Sequence, residues 1–293
     1  MGFRGLPAAP HWLIPSAYLR IGLIYWFRHR RWPNLRSPRS FTELVQWRKL
    51  YDRDPSMTIL SDKVAVKDTV GAVLGADWLI PTLWSGVRLP RNPEWKFPVI
   101  LKSRHGSNQT IICNDLGEWK AACRAAKGWI QRPYGLWLDE WAYRDVARGY
   151  IVEPFLSQAG KPPLDFKIYV MGGRAELVQV HLGRFSDHRW ILHDRDWRQV
   201  SMFGEAPAPR PASIERMMQA AETLARQFDF ARVDFYEIDG TPRFGELTFY
   251  PGSGLDPFNP PELDAQIGAL WLRARKRAQD RTGTADLDPG VAI

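Results

Sequence analysis

The pattern of apolar and polar residues predicts a chain that mixes short strands with helices. Apolar runs rich in β-branched and aromatic residues predict strands over residues 97–102, 110–113 and 150–156. Alternating runs around Gly172-Gly173 and Asp239-Gly240 predict hairpins over residues 165–180 and 232–254. Apolar residues spaced three and four apart predict helices over residues 40–52, 61–75, 115–127, 139–149, 212–228 and 262–277. Because hairpins dominate and no βαβ repeat occurs, the predicted class is α+β.

Two of these helices begin with recognisable capping residues. The first starts at Ser40 and carries Glu43 three residues later, which is the pattern of a capping box. The second has Ser61 or Asp62 as its N-cap and ends near Gly75.

The last predicted hairpin places a carboxylate on each of its strands. Arg232 and Asp234 share one face of the first strand, and Glu246 and Thr248 share one face of the second. A two-residue turn would bring these polar residues opposite apolar ones. We therefore infer a three-residue turn over residues 239–241, which pairs Asp234 with Glu246 and Arg232 with Thr248.

Two carboxylates in directly opposed positions would destabilise a sheet unless something neutralises them. A bound cation would do so, and oxygen ligands with room for phosphates and water suit Mg²⁺ or Mn²⁺. The alternative is an exposed strand face on which Asp234 or Glu246 forms an ion pair with Arg232. The residues of the hairpin alone leave both interpretations open.

Composition narrows the class of protein without identifying it. The chain has 293 residues, of which 45% are hydrophobic, so it can bury the core of one large domain or of two to three lobes. Cys113 and Cys123 have no metal-ligand spacing, which favours a reducing compartment. The net charge of +8 favours an anionic partner, such as a nucleotide, an acidic glycan or a membrane surface. Nucleic acid is a weaker alternative, because the sequence has no reader motif.

Residues 12–36 form an apolar, aromatic and basic segment near the start of the chain. Pro15 and Arg20 interrupt the apolar run, which is too short to span a bilayer. No small-residue cleavage site follows, so a signal peptide is not expected. The segment fits a helix that lies on an anionic membrane. The alternative is a helix that docks on the rest of the protein, as many such helices do.

Seven stretches of the sequence, taken in their order and spacing, resemble the ATP-grasp superfamily. They are most similar to its TupA-like, teichuronopeptide-biosynthesis branch, which is found among proteins that build or decorate cell-surface polysaccharides. The resemblance implies two α+β lobes that hold a nucleotide between them. It divides the chain into an N-terminal helical segment (1–60), a small lobe with a phosphate loop (61–153) and a large lobe with the metal-binding hairpin (154–293). The stretches are DKVAVKDTVG, LIPTLW, FPVILKSRHGS, YIVEPFL, DFKIYVMGG, DRDW and RVDFY with FGELTFYPGSG.

The small lobe of this family carries a flexible phosphate loop between two strands. Lys102 ends a buried strand here, so its cation would sit where phosphates lie. The resemblance implies that His105, Gly106 and Ser107 belong to the loop, which has one glycine where the family has several. Lys167 matches the second phosphate-contacting lysine of the family.

YIVEPFL resembles the segment that links the two lobes. The resemblance implies that the backbone of Phe155 bonds the adenine edge, since Pro154 has no N–H to donate. It places Glu153 beside the purine or ribose, although a salt bridge would equally satisfy this carboxylate. Lys63 belongs to the family's DKVAVKDTV signature, and we expect it to be an exposed lysine at the start of a helix. The alternative is a contact with phosphate or with the acceptor.

The hairpin residues match the metal ligands of the family. Asp234 and Glu246 correspond to its two acidic ligands, with Glu246 bridging two ions, and Thr248 replaces an Asn ligand. An arginine could serve equally well as the group that clamps the transferred phosphoryl group in the transition state. Arg184 and Arg232 are the candidates.

The resemblance implies a ligase that uses ATP and Mg²⁺ to activate a carboxylate as an acyl phosphate, which an amine then attacks. We expect a glycan-linked acceptor and a cytoplasmic protein, with possible peripheral contact at the inner face of the membrane. One alternative is a kinase that phosphorylates a glycan hydroxyl. Another is a catalytically inactive module that binds acidic polymer.

Overall fold

The computed structural model describes residues 14–157, 162–183, 189–201 and 208–282. Within these ranges the chain forms eight α-helices and nine strands in two antiparallel sheets. The helices are α1 (Ala17–His29), α2 (Phe41–Tyr51), α3 (Ser56–Ser61), α4 (Ala65–Leu74), α5 (Leu116–Ala125), α6 (Trp141–Arg144), α7 (Ile214–Leu224) and α8 (Glu262–Thr282). The strands are β1 (Trp84–Gly86), β2 (Val99–Ser103), β3 (Thr110–Cys113), β4 (Tyr150–Pro154), β5 (Asp165–Met171), β6 (Arg174–Leu182), β7 (Arg189–Asp194), β8 (Phe230–Ile238) and β9 (Thr241–Thr248).

The smaller sheet has the strand order β1-β4-β2-β3. On β2, Val99 and Leu101 are fully buried and cluster with Trp119 of α5. Because successive side chains of a strand point to opposite faces, Lys102 projects from the other face of the sheet. Glu153 of β4 lies opposite Ile100 in the register, so it shares the face of Lys102. This sheet therefore has one apolar face and one face that carries charged groups.

The larger sheet has the strand order β7-β6-β5-β8-β9 and supplies most of the core. Every residue of β5, the central strand, is buried. α7 packs against β5, β6 and β8, while α8 packs against β5 and α2. The predicted hairpin at Gly172-Gly173 is confirmed, since Met171 pairs with Arg174.

The β8–β9 hairpin has the strand pairing that the sequence predicts, but its turn is shorter than predicted and one strand contains a bulge. Asp234 lies opposite Glu246, as expected. The predicted three-residue turn is wrong, because Ile238 pairs directly with Thr241 and only Asp239 and Gly240 form the turn. Both turn residues have positive φ, at 49° and 73°, which suits a tight two-residue hairpin loop. A β-bulge beside Asp234, with Gly245 as the extra residue, restores the register.

Several helix boundaries differ from the prediction for local reasons. The capping box of α2 is present, with Ser40 and Glu43 each accepting a backbone N–H of the other. The predicted helix over residues 61–75 begins only at Ala65, because Asp62 ends α3 and its side chain accepts from the backbone that follows. The helix predicted over residues 139–149 shortens to α6, since Asp139 has a left-handed backbone. α8 extends five residues beyond the prediction.

α1 docks on the rest of the protein through one face. Tyr25 is fully buried, and its hydroxyl lies 2.9 Å from the Thr42 hydroxyl. Arg20 makes a two-pronged ion pair with Asp139, at 2.6 and 3.1 Å. The described part of the chain contains no helix that is both long enough and apolar enough to cross a bilayer. The division of the chain after residues 60 and 153 stays a prediction.

Candidate active site

A cavity of about 1160 Å³ lies between the charged face of the smaller sheet and one face of the larger sheet. Ten of the twelve predicted site residues line it: Lys102, Gly106, Ser107, Glu153, Phe155, Lys167, Arg232, Asp234, Glu246 and Thr248. Arg184 lies outside the described residues. His105 is fully buried, and its ring Nε2 lies 3.1 Å from the Trp129 carbonyl oxygen. It does not line the cavity, so the expectation that it contacts a cofactor is not met by its position.

Two lysines, one on β2 and one on α4, converge on Glu153. Lys102 Nζ lies 2.7 Å from one carboxylate oxygen, and Lys67 of α4 donates to the other. Burial alone would raise the pKa of Glu153, but the two ammonium groups outweigh it and hold that pKa below its usual range. The ion pair is thus the interaction that Glu153 makes here, and it fixes the Lys102 ammonium at the edge of the cavity. Sequence reasoning missed Lys67, whose signal was its position four residues after Lys63.

Lys63 is not the exposed helix lysine that the sequence suggested. It is half-buried, it lines the cavity, and its ammonium donates to the Gly106 carbonyl in the loop between β2 and β3. Burial lowers the pKa of Lys63, with the charges of Glu246 and Lys102 acting in opposite directions on it. The expectation was wrong because residues 62–64 are a linker between α3 and α4, and this linker turns the lysine inward.

The larger sheet arranges its charged residues in rows across three strands. Lys167, Asp234 and Glu246 occupy one row on β5, β8 and β9, because they are successive partners in the register. Arg232 and Thr248 are partners in the next row. The row of Lys167 therefore places one cation beside two adjacent carboxylates, and all three residues line the cavity.

Asp234 is held by two cations. Arg232 donates to both of its oxygens, at 2.7 and 2.8 Å, and Lys167 donates to one of them. Lys167 also lies 2.8 Å from Asp165, while Arg232 approaches Glu246 at 3.5 Å. Burial raises the pKa of Asp234, opposed by both cations. The pairing with Arg232 considered from the sequence therefore exists, but on a buried face rather than an exposed one.

The donor set fits a hard divalent cation only when phosphate oxygens complete it. Asp234 and Glu246 offer carboxylates on neighbouring strands, and the Thr248 hydroxyl lies in the next row. The Glu246 side chain is 31% exposed, so it can reach a ligand in the cavity. Among the described residues, no group of three or more His, Cys, Asp or Glu side chains is placed to hold a metal. A metal that neutralises phosphate charge would thus need the nucleotide for its remaining ligands.

The backbone of Phe155 does not offer the donor that the resemblance implies. Its N–H donates to the Pro98 carbonyl oxygen at 3.1 Å, which extends the pairing of β4 with β2. Leu156, the next residue, also lines the cavity. A base that bonds this segment would find the Phe155 N–H already engaged.

Comparison with known proteins identifies the family. The sequence model described as TupA-like ATPgrasp matches residues 43–272. The chain belongs to this family. It is therefore an ATP-grasp enzyme of the ligase class, in a superfamily of carboxylate–amine ligases that use ATP and a divalent metal. The match starts within α2, so α1 lies outside the part shared with the TupA-like family.

Solved structures that resemble this TupA-like chain are ATP-grasp ligases of low identity. D-alanine–D-alanine ligase from Bacillus anthracis, complexed with ATP, is 15% identical with a TM-score of 0.49, over 76% of this chain and 67% of that one. L-amino acid ligase from Bacillus licheniformis is 17% identical with a TM-score of 0.42, over 64% of this chain and 44% of that one. The ligase PsnB, complexed with a precursor variant, Mg and ADP, is 11% identical with a TM-score of 0.45, over 80% and 66%. No curated protein matches the chain significantly.

Part of the cavity wall is formed by the turn that follows β9. Three consecutive residues of this turn, Gly252, Ser253 and Gly254, have positive φ values of 52°, 56° and 65°. Ser253 is not a glycine, so its left-handed backbone is strained. Gln46 of α2 stabilises the turn by donating to the carbonyl oxygens of Ser253 and Gly254, at 2.8 and 3.1 Å. In this TupA-like protein the turn therefore presents a fixed backbone to the cavity.

Proposed function

We propose that the protein is an ATP-dependent carboxylate–amine ligase that acts through an acyl phosphate and binds its nucleotide in the cavity between the two sheets. The observation that supports this most strongly is the convergence of charge. Lys63 and Lys102 approach from the smaller lobe, while Lys167 approaches from the larger lobe beside Asp234 and Glu246. Cations from both sides with adjacent carboxylates are what a metal-bound triphosphate requires.

Each of these groups has a role in the proposal. The phosphates would be held from the side of the smaller sheet by Lys63, Lys102 and the backbone around Gly106. Lys167 and Arg232 would contact the transferred γ-phosphoryl group, releasing Asp234 as they do so. Asp234, Glu246 and Thr248 would ligate Mg²⁺ or Mn²⁺, which supplies charge neutralisation when bound.

Two group transfers make up the reaction. A carboxylate oxygen of the first substrate attacks the γ-phosphorus of ATP, the bond to the β-phosphate bridging oxygen breaks, and ADP leaves. The amine nitrogen of the second substrate then attacks the acyl carbon, and the carbon–oxygen bond to phosphate breaks. The products are an amide, ADP and phosphate. The lysines and Arg232 contribute positioning and charge neutralisation to the first step.

A nucleotide-binding measurement tests the site independently of the unknown substrates. ATP with Mg²⁺ should raise the Tm of the protein, because a ligand that binds only the folded state stabilises it. Lys102→Met and Lys167→Met should lose most of this rise, whereas Lys120→Met, an exposed lysine of α5 outside this cavity, should retain it. Equal stabilisation of all four proteins would refute the assignment.

A substrate screen tests the reaction itself. Uronic acids and amino acids serve as carboxylates, amino sugars and amino acids as amines, and ADP release is followed with mass spectrometry of the product. An amide product supports the ligase, whereas a stable phosphate on the acceptor would assign a kinase. Nucleotide binding with no turnover by any pair would favour a binding module for acidic polymer.

We further propose that the acceptor is linked to an acidic cell-surface glycan. A second cavity of about 650 Å³ on the smaller lobe supports this proposal, because five cations line it and no carboxylate does. These residues are Arg88, Arg91, Lys120, Arg124 and Lys127. A polyuronate should bind the protein, and Arg124→Glu with Lys127→Glu should abolish that binding without changing the Tm rise caused by ATP. Unchanged polyuronate binding by this variant would remove the support.

Peripheral membrane contact is a third proposal, and α1 supports it. Leu19, Leu23, Trp26 and Phe27 form one exposed stripe on the face of α1 opposite buried Tyr25. The first 42 residues contain seven Arg and no Asp or Glu, so they carry seven of the eight net positive charges. An apolar stripe in a segment of purely positive charge suits the interface of an anionic bilayer.

A further inference from the structure

A hydrogen-bonded path of three buried polar residues reaches the cavity from behind the turn after β9. Lys49 of α2 is only 3% exposed, and its ammonium donates to the Ser253 hydroxyl at 2.7 Å. The Ser253 carbonyl oxygen and the Gln46 side-chain oxygen accept its other two hydrogen bonds, both at 2.9 Å. The ammonium therefore has all three of its donors engaged.

The path continues from Ser253 to Glu140. The Ser253 side chain is hydrogen-bonded to the Glu140 carboxylate, which is 4% exposed and lines the cavity. Since the Ser253 oxygen accepts from Lys49, its own proton is available for Glu140. The result is a continuous path from Lys49 through Ser253 to Glu140.

Glu140 also lies within electrostatic reach of the proposed metal site. Burial raises the pKa of the Tyr143 hydroxyl well above its ordinary value, and the charges of Glu140 and Glu246 raise it further. Both carboxylates act in the same way on Tyr134, after burial. The two tyrosines line the same cavity as Glu140 and Glu246, so both carboxylates face one shared space.

The electrostatic state of the path suits proton transfer near neutral pH. Burial raises the pKa of Glu140 to about 7, against the opposing charge of Lys49 and the hydrogen bond of Ser253. Burial lowers the pKa of Lys49 to about 8, against the charges of Glu140 and Asp139. A carboxylate with this behaviour can accept a proton and release it again under the conditions in which the enzyme works.

We propose that Glu140 accepts the proton that the acceptor ammonium must lose before it attacks, with Ser253 and Lys49 as positioning residues. This inference rests on the proposed ligase function. The ammonium gives one proton to the Glu140 carboxylate, and the neutral amine attacks the acyl carbon. The carbon–oxygen bond to phosphate then breaks, and the second proton of the nitrogen leaves with the phosphate. Glu140 afterwards returns its proton to solvent.

Hydroxylamine separates this proton step from the rest of the reaction, because it is already unprotonated at neutral pH. The assay uses the carboxylate–amine pair with the highest turnover in the substrate screen, at saturating ATP. Glu140→Gln should lower amide formation by about a hundredfold or more, which is the usual contribution of general base catalysis. With hydroxylamine in place of the amine, the same variant should form hydroxamate at nearly the wild-type rate. Glu222→Gln, which changes a glutamate paired with Arg195 outside this cavity, should be unaffected in both assays.

The outcomes distinguish failure of this inference from failure of the ligase proposal. If the wild-type protein forms neither amide nor hydroxamate, the ligase proposal fails. If Glu140→Gln forms amide normally, or loses amide and hydroxamate equally, the role of Glu140 is refuted. Should this variant fail to fold, Ser253→Ala provides the test. It removes a hydrogen bond that favours ionised Glu140, so the pKa of Glu140 should rise. The acidic limb of the pH–rate profile for amide formation should therefore move to higher pH.

The other titratable groups that interact with Glu140 are Lys49, Tyr134, Tyr143 and Tyr250. Ser253→Ala leaves all four side chains in place and removes one of the three acceptors of the Lys49 ammonium. A purely structural role of Ser253 would lower the amide rate at all pH values alike. An unshifted acidic limb would therefore overturn the inference.

Discussion

Asp234→Asn and Glu246→Gln should both abolish ADP release, but only the first should strongly destabilise the protein. The two residues are neighbours in one row of the sheet and are proposed ligands of the same metal. Their surroundings differ, because Asp234 is 2% exposed and neutralises both Arg232 and Lys167. Removing its charge takes from both buried cations the carboxylate they share, and leaves Asp165 at 2.8 Å from Lys167 and Glu246 at 3.5 Å from Arg232. The Glu246 side chain is 31% exposed and lies 3.5 Å from Arg232.

The magnitudes follow from burial. Breaking a buried ion pair by removing one partner lowers the free energy of unfolding by about 3–5 kcal/mol. For a protein of this size that corresponds to a fall in Tm of roughly 6–20 °C. A partly exposed ion pair at longer distance contributes about 1 kcal/mol or less, so Glu246→Gln should lower the Tm by only a few degrees.

Thermal unfolding and ADP release, measured on the same preparations, check this contrast. Asp229→Asn provides a control, since Asp229 pairs with Arg48 away from the cavity and should lose stability without a direct effect on turnover. Equal falls in Tm for Asp234→Asn and Glu246→Gln would contradict the larger stabilising role assigned here to Asp234 as the partner of Arg232 and Lys167. Full turnover by either site variant would refute the metal assignment.

Three further predictions follow from other parts of the molecule. Lys63→Met should raise the KM for ATP at least tenfold with little change in Tm, because the lysine holds the phosphate loop at Gly106 and reaches the cavity; an unchanged KM would contradict this. The rate of amide formation should rise with pH through about 7 as the buried Glu140 carboxylate ionises, and in Glu140→Gln this limb should be absent. Replacing Leu23, Trp26 and Phe27 with Ser should reduce sedimentation with vesicles that contain an anionic lipid while leaving ADP release intact, and undiminished sedimentation would exclude α1 as the contact.

The sequence predicts the fold class and ten residues of the cavity lining, because these depend on local signals and on the family motifs. Alternation and turn residues fix the strands, and the family resemblance selects the lysines and carboxylates. The pairing of Asp234 with Glu246 was predicted correctly from polarity, although the turn was wrong. A bulge at Gly245 compensates for a two-residue turn, and a pattern of polarity cannot distinguish that combination from a longer turn without a bulge.

Long-range contacts account for the remaining differences. The backbone donor of Phe155 is engaged by Pro98, more than fifty residues earlier, and His105 turns into the core toward Trp129. Glu140 lies in no recognisable sequence motif. Its candidate role depends on interactions with Ser253 and Lys49, which come from distant parts of the chain. Contacts of this kind depend on how α2 and the turn after β9 pack together, which periodicity does not encode.

The engagement of Asp234 by Arg232 and Lys167 makes nucleotide and metal binding thermodynamically linked. A metal that approaches alone must compete with two cations for the same carboxylate. Phosphate groups would draw those cations away and leave the oxygens to the metal. Each ligand should therefore increase the affinity for the other by the same factor, and Mg²⁺ titrated without ATP should produce almost no heat of binding.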